Sequence, residues 1–228
     1  LAALVLAGVC SATHAAIVTD AAGDLIPSFT PGDAAPHGDV DVVSSEVTLN
    51  KATNQLIFSG TYASNIGTSL NSAGVANAIY VWGLDRGQGE ALLAGIGATN
   101  VLFDSVVVLR ADSTADFIDI VGGAPPVNLP GIVTIAGPTI SGTVNVSIIP
   151  ELVGGFALED WTWNLWPRFI SAADPALLFT DPAVSDFAPD NSNARLTVVA
   201  AVSEPASLGV MAFGLAALGW QRRRRERQ

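Results

Sequence analysis

Two groups of side chains in this chain have the types and spacing to do chemistry. The first is acidic: Asp20, Asp24, Asp39 and Asp41 fall in stretches broken by glycine and proline. Carboxylates on such turns converge as hard oxygen ligands, and Ca2+ takes about six to eight of them, so these four are candidate calcium ligands. Their spacing lacks the regular ligand series and closing glutamate of an EF-hand. The competing use of loop aspartates is to cap turns while staying solvated. The second group is aromatic, Trp161, Trp163 and Trp166, followed by Arg168. On a strand, Trp161, Trp163 and Leu165 face one way and Thr162, Asn164 and Trp166 the other. Exposed, Trp161 and Trp166 with Arg168 form a stacking platform for a glycan; buried, indoles fill a core, which is the expectation for Trp163.

Two polar loops carry further charge. Asp186 and Asp190, in residues 185–191, either join a metal or pair with Arg168, and pinning of a long loop is the expected use. Residues 85–90, Asp-Arg-Gly-Gln-Gly-Glu, lack the length and the strand-to-helix setting of a phosphate loop and read as a turn.

Catalysis finds little material. Beyond the first 15 residues the chain has one histidine, His37, and no cysteine, which excludes histidine-rich zinc sites and cysteine nucleophiles. A Ser-His-Asp system would have to use His37, and no nucleophile-elbow sequence accompanies it. Glu151, Glu159 and Asp160 are carboxylates that can pair for glycosidic cleavage. In so acidic a chain, however, such proximity is expected without function. No catalytic residue is assigned.

The elements that must position these groups read as all-β. Short runs of β-branched and aromatic residues are separated by Gly, Pro, Asn and Asp. Val43, Ser45, Val47 and Leu49 alternate with Ser44, Glu46 and Thr48; a turn at residues 50–54 leads into the run 56–62, and the pair predicts a hairpin. Further strands are predicted at 78–84, 101–110, 117–121, 132–136, 140–149, 161–166 and 195–202, with residues 122–130 as a loop. About nine short strands without a long amphipathic helix predict one β-sandwich or jelly-roll-like domain.

The two ends bracket that domain. Residues 1–9 are apolar, and Thr13 and Ala15 occupy the small-residue positions of a signal-peptidase site before Ala16. Residues 1–15 therefore read as a secretory signal whose Met and basic start precede Leu1. Cleavage there removes Cys10 and leaves residues 16–202 as an exported domain without a disulfide. At the other end, Glu204 and Pro205 precede the uncharged apolar run 206–220 and then Arg222, Arg223, Arg224, Arg225 and Arg227. As a helix the run covers roughly 22 Å, short of a roughly 30 Å hydrocarbon core. Arginine stems and Trp220 at the interface extend its reach to a transmembrane helix. The arginine cluster, residues 221–228, places this end in the cytoplasm. Leaving out the tail, residues 203–228, 19 acidic side chains face 5 basic ones. Such a surface repels nucleic acid, and anionic polymers too unless divalent cations intervene.

The order Val202-Ser203-Glu204-Pro205-Ala206-Ser207, apolar run, arginine block closely resembles the PEP-CTERM sorting signal of exported bacterial proteins, with Ser203 where a first Pro is usual. The resemblance implies an exosortase, a membrane cysteine transpeptidase, as processing partner. It also implies transient residence in the inner membrane and delivery to the envelope, surface or extracellular matrix, often among extracellular polysaccharide. A looser resemblance joins Asp20 to Asp24, then Gly38-Asp39-Val40-Asp41 and Glu46, to the opening of calcium-containing carbohydrate-binding sandwich domains of glucodextranase-type enzymes. The expectation is a non-enzymatic structural or glycan-interacting module. A carbohydrate-active hydrolase using paired carboxylates and a calcium-dependent adhesion module are the alternatives.

Overall fold

Runs of β-branched and aromatic residues, alternating with polar ones in β2 and β3, produce the strands of this computed structural model, which describes residues 17–200. The signal segment 1–15 and the tail 203–228, with its expected 206–220 helix and arginine cluster, lie outside the described residues. The strands are β1 (Val18–Thr19), β2 (Val42–Asn50), β3 (Gln55–Tyr62), β4 (Ile79–Asp85), β5 (Ser105–Arg110), β6 (Ala115–Asp119), β7 (Val127–Asn128), β8 (Val133–Ala136), β9 (Thr139–Asn145), β10 (Thr162–Arg168), β11 (Ala194–Arg195) and β12 (Thr197–Val199). Besides them the described residues form only short 3-10 turns. No helix among them is long and apolar enough to cross a membrane.

Two six-stranded sheets result. The first has the order β1-β2-β3-β9-β8, and β12 also pairs with β2; the second has the order β11-β10-β4-β5-β6-β7. The pairings are antiparallel except for β12 on β2, which is parallel. β1 and β12 share one edge of β2. β1 covers it at Ser44 and Ser45, and β12 covers it from Thr48 to Asn50.

The expected β2–β3 hairpin forms with Asn50 opposite Gln55, and the Asn50 side chain accepts from Ala52 N at 3.0 Å across the turn. Elsewhere the boundaries differ. β1, β7 and β11 are two residues long, too short to show periodicity, and β7 lies inside the stretch expected to be loop. The run 195–202 divides into β11 and β12, which belong to different sheets. β9 stops at Asn145, whose side chain accepts from Ser147 N at 3.0 Å and starts a 3-10 turn.

Between the sheets lies the main core, with Leu49 and Phe58 from the first and Trp82, Trp163 and Leu165 from the second. The second sheet is apolar on its other face as well. Val81, Val106, Val108 and Trp166 there pack under Leu93, Val101, Phe103, Leu178, Val184 and Phe187 from the connecting loops. Burial on both faces accounts for the unbroken apolar character of β4 and β5.

This packing corrects the expected glycan platform. Trp161 is 3 % exposed and Trp166 1 %, so neither offers a ring face to a sugar. Trp161 belongs to the main core, and its Nε1 donates to Phe156 O at 3.3 Å. Trp166 lies over Gly83, with Phe103 at a centroid distance of 4.6 Å. The absent side chain at Gly83 makes room for the indole, since an added Cβ would collide with its six-membered ring.

A second departure is Arg86, read above as part of an open turn. It is fully buried. Nε donates to Asp104 Oδ1 at 2.7 Å, Nη2 to Asp119 Oδ1 at 2.6 Å and Nη1 to Pro150 O at 2.7 Å. Asp85 holds the turn itself, its Oδ1 accepting from Gly87 N at 2.8 Å and Gly89 N at 3.0 Å.

Replacing Gly83 by Ala forces Trp166 off its seat and lowers stability by about 1–3 kcal/mol, the usual cost of overpacking. Chemical denaturation of Gly83→Ala against the parent checks this; unchanged stability contradicts the packing described.

Candidate metal centre

The acidic group assembles where three segments meet at the start of β2. β1 pairs with β2 through Thr19 opposite Ser44, and Asp20 N extends the ladder to Val43 O at 2.9 Å. The chain then turns at Gly23, whose φ of 91° belongs to the left-handed region. Its N–H donates to Asp41 Oδ2 at 2.8 Å, so this turn sets Asp24 beside Asp41.

The third segment comes from after β10. Residues 184–188 run back along that strand: Ser185 N donates to Pro167 O at 3.1 Å, and Leu165 and Ala188 exchange bonds of 3.0 and 2.9 Å. Ser185 Oγ donates to Val40 O at 2.8 Å, and Ile26 N donates to Ser185 O at 2.9 Å. Asp186 is thereby fixed against β2. Its Oδ2 accepts from Val42 N and its Oδ1 from Phe187 N, each at 2.8 Å.

Five carboxylates converge. Oxygen atoms of Asp20, Asp24 and Asp190 lie within 4.8 Å of one another, and so do those of Asp24, Asp41 and Asp186. Asp41 is 5 % exposed and Asp186 2 %, whereas Asp24 and Asp190 reach solvent. Asp41 Oδ1 and Asp20 Oδ2 are buried without a hydrogen-bond partner. An acceptor withdrawn from water and left unpaired is costly unless something positive meets it.

The electrostatics agree. Burial first, then the nearby Asp20 and Asp24 carboxylates, push Asp186 up to about 8. Burial, then Asp24, Asp190 and Asp41, push Asp20 up to about 6, and burial with Asp24 raises Asp41. A divalent cation relieves both causes, desolvation and mutual repulsion. The donors are all carboxylate oxygens, which suits a hard cation such as calcium and not a thiolate- or imidazole-seeking metal.

Three of the four residues expected from the sequence are therefore here, and Asp39 is not. Residues Gly38–Val40 form a 3-10 turn, in which each residue advances about 120°, so Asp39 and Asp41 point to different sides. Asp39 instead accepts from Ser69 N at 2.9 Å and from Ser69 Oγ. Asp186 and Asp190, expected chiefly to pin a loop, complete the group. Arg168 pairs with neither of them. Its Nη1 donates to Leu178 O at 3.1 Å and Thr180 O at 3.3 Å, and burial pulls it down to about 10.

His37, Glu159 and Asp160 are engaged in structure. His37 sets Nδ1 3.0 Å from Ser69 Oγ and Nε2 2.5 Å from Asp33 Oδ1, with its ring against Phe169. Ser69 Oγ donates to Asp39, so its proton is not directed at the imidazole as a nucleophile-base pair requires. Glu159 pairs with Lys51, and Asp160 lies 3.6 Å from Arg195. Glu151 lines an open cleft of about 650 Å3 with Phe156 and Leu158.

Among known proteins, residues 201–225 match the PEP-CTERM protein-sorting motif. This motif marks an exported chain that passes through the membrane for sorting by an exosortase. None of the curated proteins and none of the solved structures compared with the chain matches it.

The raised carboxylates fix a pH dependence in the presence of a chelator. A group held above its unfolded value of 3.8 contributes stability that is fully present below that value. The contribution disappears as pH rises through its folded value, about 6 for Asp20 and about 8 for Asp186. Melting temperature followed from pH 4 to 8 in chelator should fall more steeply for the parent than for Asp186→Asn; equal slopes contradict this account.

Proposed function

We propose that the chain is an exported, non-enzymatic module of the cell envelope or extracellular matrix, delivered through its PEP-CTERM motif and held folded by calcium. The observation that carries the calcium reading is the convergence of Asp20, Asp24 and Asp41 with Asp186 and Asp190, which lie more than 140 positions further along the chain. A cation there joins the beginning of the domain to a loop close to its end. Exported modules work where calcium is plentiful, and sites of modest affinity, about 10⁻⁴–10⁻³ M, serve them.

The structural role is supported by the employment of His37, Ser69, Glu159 and Asp160 in hydrogen bonds and ion pairs. The acidic surface, 19 acidic against 5 basic side chains outside the tail, suits a place among anionic polysaccharide bridged by divalent cations. The exosortase is the processing partner in this reading, and the membrane is a stage of transit.

Calcium at about 100 times its dissociation constant stabilises the folded chain by about 2.7 kcal/mol through mass action. A rise in melting temperature with calcium, reversed by chelator and absent in Asp41→Asn, checks the cation. No calcium-dependent rise removes it. Delivery is checked by the intact mass of the product recovered from the cell surface of the native host. It should end near Glu204 and lack residues 206–228, whereas surface product retaining all five tail arginines contradicts sorting by cleavage.

A further inference from the structure

The five carboxylates form two groups with one member in common. Asp24, Asp41 and Asp186 are the inner group, Asp20, Asp24 and Asp190 the outer one, and Asp24 alone belongs to both. Each group also contains one buried oxygen without a partner, Asp41 Oδ1 in the inner and Asp20 Oδ2 in the outer. Asp41 is 95 % withdrawn from solvent, and neither unpaired oxygen has a protein donor to meet it. One orphaned acceptor in each group is what two separate positive centres account for.

We infer that the site holds two calcium ions, with the Asp24 carboxylate as the ligand they share. The inference rests on the calcium reading above and sets its stoichiometry. Charge supports it. Fully ionised, the five carboxylates carry five negative charges, of which one Ca2+ balances two and a second leaves one. A carboxylate has two oxygens and bridges two cations without strain, and only Asp24 stands where both groups reach it.

The two positions differ. Asp41 and Asp186 are buried, and both are oriented by backbone N–H groups, of Gly23 for Asp41 and of Val42 and Phe187 for Asp186. Asp24 and Asp190 are exposed. The inner position is thus the more preorganised, and the outer one is the more open to water. Calcium fills the inner position first and the outer one at higher concentration.

Calcium titration of the full chain in detergent, followed by calorimetry and by native mass spectrometry, tests this. Two ions per chain with distinct affinities are expected. Asp190→Asn, a change at an exposed side chain, should weaken the second ion by about tenfold or more and leave the first nearly unaltered. Asp24→Asn should weaken both, and circular dichroism establishes that each variant is folded. A single ion in the parent overturns the shared-ligand inference and leaves the calcium reading standing, as does a second ion untouched by Asp190→Asn. No bound ion in the parent overturns both.

Discussion

A sheet that is apolar on both faces must be covered twice, and the rest of this molecule follows from meeting that condition. One face of the second sheet is covered by the first sheet. The other, with Val81, Val106, Val108 and Trp166, has no third sheet or α-helix over it among the described residues and is closed by loops with short 3-10 turns. Loops can do this only if their backbone groups find partners. The segment after β10 solves the problem by returning along β10 and bonding to it at Leu165 and Pro167. That return path carries Asp186 across to Val42. The carboxylate cluster is therefore a product of how the outer face is sealed.

The described domain contains no cysteine, so its irregular parts are tied by polar contacts. At one end of the second sheet, Arg86 gathers Asp104, Asp119 and the Pro150 carbonyl, so two carboxylates share a cation inside the fold. Around the start of β2 the balance is opposite, with five acids and no basic partner among them. Similar burial thus gives different chemistry. The first cluster has a cation within the folded chain, and the second draws none from the described residues.

Legibility in the sequence followed the distance over which each feature is decided. The hairpin of β2 and β3 and the alternation around Trp163 are local patterns, readable from a few neighbours. So is the sorting motif, contiguous over residues 201–225. Asp20, Asp24 and Asp41 were visible because they are close in sequence, and Asp39 was misplaced because a single 3-10 turn separates its direction from that of Asp41. The partnership of Asp186 with Val42, across 144 positions, depends on the covering loop and leaves no mark in the local pattern. Arg86 was hidden for a related reason. Its setting of glycines and acids is that of an exposed turn, and only the pairing of β4 with β5 and of β5 with β6 brings Asp104 and Asp119 within its reach.

The arrangement of β1 and β12 along one edge of β2 has a mechanical consequence. β12 runs parallel to β2, and the ladder ends where Lys51 N meets Val199 O at 3.1 Å. The backbone thus leaves the sandwich beside the hairpin, nearly the full length of β2 from the carboxylates, roughly 26 Å at 3.3 Å per residue. Traction applied at this exit acts along β12 and loads its rungs in shear, all together, instead of peeling them one by one.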